Sequence, residues 1–132
     1  MQFVLHGVVA SGLGKARGFT QLPWASEQFA RKLDLRPAPG TFNVRLVDDE
    51  NRSRWQALKR ETGIEIDPPD AGSCVARCYP LVVNDRIRGA IILPHVPWYP
   101  EDQVEVLAEQ SIRAALNLQD GDGVILWVRV AP

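Results

Sequence analysis

The chain has 132 residues, 45% of them hydrophobic and 23% charged, with a formal net charge of −1. That length suits one domain, residues 1–132, around one core, and the composition excludes a disordered chain. The near-neutral charge weighs against a nucleic-acid backbone as main partner, and no run of about 18 apolar residues is present to cross a membrane.

Residues 2–9, "QFVLHGVV", alternate and are rich in β-branched and aromatic types, which predicts a strand. The opening lacks a basic leader, and His6 and Gly7 break its apolar run, so it reads as a strand rather than a signal peptide and implies a cytoplasmic protein. "SGLGKARGF" (11–19) follows as a loop with three glycines, Lys15 and Arg17. "LPWASEQFARKLDL" (22–35) sets Trp24, Phe29 and Leu33 at roughly helical spacing, with a start signal around Pro23 or Ser26; "RPAPG" (36–40) ends it. "TFNVRLV" (41–47) alternates as a strand, with Phe42, Val44 and Leu46 on one face and Thr41, Asn43 and Arg45 on the other.

Residues 48–63 are highly charged and read as weakly helical at best. "IEI" begins a short strand that runs into a turn. Residues 73–83 and 86–94 read as two strands joined by Asn84-Asp85, a good hairpin turn. The proline-rich 94–102 is an extended loop, 103–109 a strand, 110–118 a short helix, "QDGDG" a tight turn, and 124–130 a closing strand. Many short strands with few helices predict a mainly β chain closed into a barrel, which removes exposed edges. The two cysteines, Cys74 and Cys78, lie four apart on one predicted strand. Their Cα atoms would be roughly 13 Å apart at about 3.3 Å per residue, too far for a disulfide, so both read as buried thiols.

Several stretches carry potential chemistry. The glycine loop permits close backbone approach to an anion, with Lys15 and Arg17 adding charge, although it matches neither the GxxxxGK[ST] nor the GxGxxG phosphate motif; a solvated connection is the plain alternative. Thr41 and Asn43, two apart on a strand, offer a hydroxyl and an amide oxygen on one side, suited to a hard cation such as Mg²⁺ or to an outward polar face. Glu105 stands on the polar side of its strand, open to a ligand's donors or to solvent. Arg113 offers its fork to phosphate or simply to the surface, and Trp98-Tyr99 either stack on an aromatic ligand or cap the barrel's mouth. His6 and His95 have no partner identifiable from spacing.

In combination, "GVVASGLGKARGF", "LRPAPGTFNVRL" and "RGAIILPHVPWYPEDQVEVLAEQSIRAALNLQDGDGV" resemble the CTP-dependent riboflavin kinases over nearly the whole chain, 48–72 least well. The resemblance implies a six-stranded cradle-loop β-barrel with a few short helices. It also implies transfer of the γ-phosphate of CTP to the 5′-hydroxyl of riboflavin, giving FMN and CDP, with Mg²⁺. Carried over by position, Gly12, Leu13, Gly14, Lys15, Ala16 and Arg17 would cradle the nucleotide, and Gln110, Ser111, Ile112 and Arg113 would complete its pocket. Thr41 and Asn43 would hold Mg²⁺, and Glu105 would meet the flavin. Pro97 falls where the family has a threonine that touches the flavin. The family loop typically reads SGLGEG; here Lys15 reverses a charge and Ala16 replaces a glycine. A flavin- or nucleotide-binding module without transfer activity and a kinase for another hydroxyl compound are the alternatives. A DNA-binding regulator of related fold is disfavoured by the net charge and by the lack of a helix-turn-helix segment.

Overall fold

In a computed structural model the protein is described over residues 1–12, 20–69 and 76–130. Among these residues seven strands follow in order: β1 (Gln2–Ala10), β2 (Phe42–Arg45), β3 (Ile64–Ile66), β4 (Ala76–Val83), β5 (Ile87–Pro94), β6 (Gln103–Ala108) and β7 (Gly123–Arg129). Among the described residues, three helices accompany them: α1 (Pro23–Leu33), α2 (Asp49–Leu58) and α3 (Ile112–Leu116). Neighbouring strands run β4-β5-β6-β2-β1-β7, and β7 pairs back onto β4, which closes a six-stranded antiparallel barrel as expected. The strand β3 stands outside that ring, paired to the first residues of β4, while Leu81–Val83 farther along the same edge pair β7. Pro80, which has no N–H to offer, lies in the gap between the two partners.

Alternation decides what faces inward. Leu5 and Val9, Val44, Tyr79 and Leu81, Ile91, Val104 and Val106, and Leu126 and Val128 fill the barrel interior. The opposite face of β4, β5 and β6 is apolar as well: Cys78, Ala90, Ile92 and Leu107 lie beneath α1, which contributes Ala25, Phe29 and Leu33. Burial on both faces explains why 87–93 reads as an almost continuous apolar run. Gln28, buried on that same helix, pairs its amide with the backbone of Asp67 through two 2.7 Å hydrogen bonds and so joins the helix to the end of β3. The αL turn at Asn84 and Asp85 (φ 49° and 58°) makes the expected β4–β5 hairpin.

The main departure from expectation is α2. Its charge hides a narrow buried stripe of Asn51, Trp55 and Leu58. Asp48 caps the first turn by accepting from Asn51 N at 2.8 Å, and Asp49 and Glu50 complement the helix dipole. Trp55 and Leu58 enter the barrel core from the end of β2 opposite Thr41, so α2 covers that end of the barrel and leaves the Thr41 end open. Arg77 and Arg88, projecting from β4 and β5, donate to the last carbonyls of α2 and α1 respectively. Among the described residues, no helix is long and apolar enough to cross a membrane.

Candidate functional site

At the open end, the segment 38–42, the ends of β6 and residues 110–113 enclose a cleft of about 150 Å³. Its floor is apolar (Phe42, Val106, Ala108, Ile112) and its rim polar (Thr41, Gln110, Ser111, Arg113). The walls are fixed by main-chain bonds. Ala38 N donates to Ala108 O at 2.8 Å, and Arg36 N to a Glu109 carboxylate oxygen at 2.8 Å. Gly40 turns the chain into β2 at φ 88°, where a side chain is disfavoured although space is open. Ser111 caps α3 by accepting from Ala114 N at 3.2 Å, so its hydroxyl serves the rim's own backbone.

Beside the cleft, β2 and β6 place Asn43 directly across from Glu105 and Arg45 across from Gln103. Thr41 Oγ1 donates to Glu105 Oε1 at 3.4 Å, and Tyr99 OH donates to Glu105 Oε2 at 2.9 Å. Asn43, only 8% exposed, donates from Nδ2 to Thr41 O and accepts from Gln103 Nε2, each at 3.2 Å. Burial pushes the Tyr99 phenol well above its ordinary range, and the neighbouring Glu105 carboxylate pushes the same way, so this hydroxyl stays a donor. Gly12 closes over Asn43 so tightly that a Cβ there would stand 2.2 Å from Asn43 Nδ2.

A third group joins the end of β1 to α3. Arg113 Nη2 donates to Ala10 O at 3.0 Å and forms an ion pair with Asp120, which also accepts from Ser11 Oγ at 2.8 Å. The Arg113 and Ser11 hydrogen bonds hold the Asp120 carboxyl below the usual range.

The residues expected to act thus fall into two adjoining sets. Gln110, Ser111, Ile112, Arg113 and Thr41 line the cleft; Thr41, Asn43 and Glu105 form the polar cluster, with Thr41 common to both. Gly12 meets the cluster, whereas Leu13, Gly14, Lys15, Ala16 and Arg17 lie outside the described residues, as does Cys74. Pro97 is exposed on the loop that carries Tyr99. Of Trp98-Tyr99, the tryptophan is 62% exposed and the tyrosine packs against the core. Tyr99 as the partner of Glu105, and Asp120 and Ser11 as the partners of one another, had no signal in the sequence beyond polar residues in loops.

Among the described residues, no group of three or more His, Cys, Asp or Glu is placed to hold a metal ion. The oxygens present nonetheless suit a hard cation. Thr41 directs its proton at Glu105 and keeps its oxygen lone pairs for another partner, and Asn43 Oδ1 keeps one lone pair beyond that given to Gln103.

Fold and site together define a small closed antiparallel barrel with a ligand cleft at one mouth, bordered by neutral oxygens, a carboxylate and an arginine. Residues 9–128 match the sequence model labelled for CTP-dependent riboflavin kinases and described as a domain of unknown function, DUF120. The chain belongs to that family. Among its relatives, a "Riboflavin kinase" of Methanosarcina barkeri is 36% identical over 129 residues, covering 95% of this chain and 56% of that protein. A protein of the same name from Halobacterium salinarum is 34% identical over 134 residues, covering 96% and 57% respectively. A third, from Methanobrevibacter smithii, is 34% identical over 120 residues, covering 91% of this chain and 95% of its own. The chain spans little more than half the length of the first two.

Proposed function

We infer that the barrel is a riboflavin kinase that takes its phosphate from CTP. The observation that carries this reading is the meeting at Thr41 of the cleft's rim (Gln110, Ser111, Ile112, Arg113) with the Asn43–Glu105 cluster. The names of the relatives support the acceptor, and the family's name supports CTP. In the reaction, the 5′-oxygen of riboflavin forms a bond to the γ-phosphorus, and the bond from that phosphorus to the β–γ bridging oxygen breaks. FMN and CDP result, and the hydroxyl proton passes to solvent.

Such a transfer asks mainly for positioning and charge neutralisation. Arg113 offsets phosphate charge from the rim, and the loop Gly12, Leu13, Gly14, Lys15, Ala16 and Arg17 would supply amides and two cations. Thr41 and Asn43 would hold Mg²⁺, which when bound neutralises phosphate oxygens. Glu105 orients Thr41 by accepting its hydrogen bond, as an outer partner orients a metal ligand, and would use remaining lone pairs for the flavin's donors. Pro97, exposed on the loop that carries Tyr99, would offer an apolar edge to the flavin. Neutral ligands bind a divalent ion weakly, so nucleotide should raise Mg²⁺ affinity sharply in calorimetric titration. Tight Mg²⁺ binding without nucleotide contradicts this arrangement.

The test of function is incubation with riboflavin, CTP and Mg²⁺ followed by chromatography for FMN. A second reading, a module that binds flavin or nucleotide without transfer, is favoured by Lys15 and Ala16 in place of the family's glutamate and glycine. Thermal stabilisation by CDP or FMN with no FMN formed would identify it.

A further inference from the structure

We propose that Asp120 is a positioning residue that sets Arg113 at the cleft and moors the start of the glycine loop through Ser11. The inference rests on the reading of the cleft as a nucleotide-phosphate site.

The geometry is specific. Both hydrogens of Arg113 Nη2 are used, one on Ala10 O and one on Asp120 Oδ1. Among the described residues, Nη1 and Nε have no partner, so three of the five guanidinium N–H groups are left for an anion. A free arginine stem samples many rotamers, and binding phosphate would cost the entropy of ordering it. The Asp120 carboxylate orders it beforehand, which is how a supporting group raises affinity without touching the ligand.

The carboxylate itself is firmly held. Its turn is pinned to β1, because Gly121 N donates to Val9 O and Val9 N to Asp122 O, both at 2.8 Å. Within the turn, Asp122 Oδ2 accepts from Gln119 N at 2.8 Å. Gly121 adopts φ 91°, which lets the chain close so sharply. The second oxygen of Asp120 takes the Ser11 hydroxyl, one residue before Gly12. One side chain therefore fixes the rim on α3 and the place where the glycine loop departs from β1. As an exposed ion pair the contact adds little to fold stability, so its worth is in orientation.

Calorimetric titration with CDP tests this on four proteins: the parent, Arg113→Ala, Asp120→Ala and the double variant. Arg113→Ala is expected to weaken CDP about 30-fold and Asp120→Ala about 10-fold. The double variant is expected to be no weaker than Arg113→Ala by more than about two-fold, because Asp120 acts largely through Arg113. Riboflavin affinity and melting temperature are expected to stay near parental values in Asp120→Ala. Asp120→Glu, with its longer stem, should recover part of the CDP affinity. If Arg113→Ala weakens CDP and Asp120→Ala does not, or if the two losses multiply fully, the positioning role is wrong while the site stands. If Arg113→Ala leaves CDP affinity unchanged, the nucleotide reading of the cleft falls and the role of Asp120 with it.

Discussion

Replacing Gly12 by alanine is expected to cost catalysis more than stability. The added Cβ would lie 2.2 Å from Asn43 Nδ2, 2.6 Å from Cγ and 2.7 Å from Oδ1. Ordinary carbon contacts begin near 3.5 Å, so the amide must retreat by about 1.3 Å. The Gly12 backbone is not in the left-handed region, so the substitution introduces no φ strain and the clash alone acts. Retreat gives up the two 3.2 Å hydrogen bonds of Asn43, at about 1 kcal/mol each. With a melting entropy of about 2.1 cal/mol/K per residue over 132 residues, that amounts to a fall of roughly 7 °C in Tm. The effect on catalysis is expected to be larger, because a displacement of about 1 Å in a positioning group costs on the order of 100-fold in rate. Gly12→Ala should thus form FMN about 100-fold more slowly at limiting Mg²⁺, and excess Mg²⁺ should restore part of the rate. Assays of FMN formation across a Mg²⁺ series, with a melting curve on the same samples, decide it. Full activity with unchanged Mg²⁺ dependence would refute the placement of Asn43 in the metal site.

Gly89→Ala should do the reverse. Its Cβ would meet the Leu107 carbonyl oxygen at 2.3 Å, a backbone atom of β6 that cannot withdraw without disturbing the β5–β6 pairing. A loss of about 2–3 kcal/mol, or roughly 7–11 °C in Tm, is expected with KM values kept at low temperature. Tyr99→Phe removes the 2.9 Å donor to Glu105 Oε2, and fluorescence titration should show riboflavin bound about 3–10-fold more weakly with CDP affinity nearly unchanged. At alkaline pH the fold should weaken. Burial raises the Cys78 thiol from 9.0 to about 12, so between those values the unfolded chain releases a proton the folded chain keeps. That contribution is intact below pH 9 and is lost as pH rises through the window, with a slope of up to about 1.4 kcal/mol per pH unit. Denaturant titrations from pH 8 to 11 should show this decline, and Cys78→Ala should reduce it most between pH 9 and 10, the raised phenols of Tyr79 and Tyr99 adding their own share above that.

The strands were readable because alternation is local. Phe42, Val44 and Leu46 announce an inward face whatever they eventually meet, and Asn84-Asp85 announces its own turn. Barrel closure was readable in kind, from the number of short strands, but the pairing of β7 with β4 brings together residues some forty positions apart, which no local pattern encodes. The helix α2 was obscured because its buried stripe occupies only three of its ten positions, with charged and polar residues prevailing among the rest. At the site, Thr41 and Asn43 were legible as a same-face pair on one strand. The partners that give them direction were not: Glu105 reaches Thr41 across 64 positions of sequence, and Ser11 reaches Asp120 across 109. Such contacts exist only once the barrel has closed, which is why Tyr99 and Asp120 looked like ordinary loop residues until the fold placed them.

The most direct measurement of the whole account is the product of one reaction mixture containing the protein, riboflavin, CTP and Mg²⁺, compared with the same mixture made with Asn43→Ala. FMN and CDP appearing in equal amounts with the parent, and falling at least about 100-fold with the variant while its fold persists, is the predicted result. No FMN from the parent protein, or undiminished FMN from the variant, contradicts it.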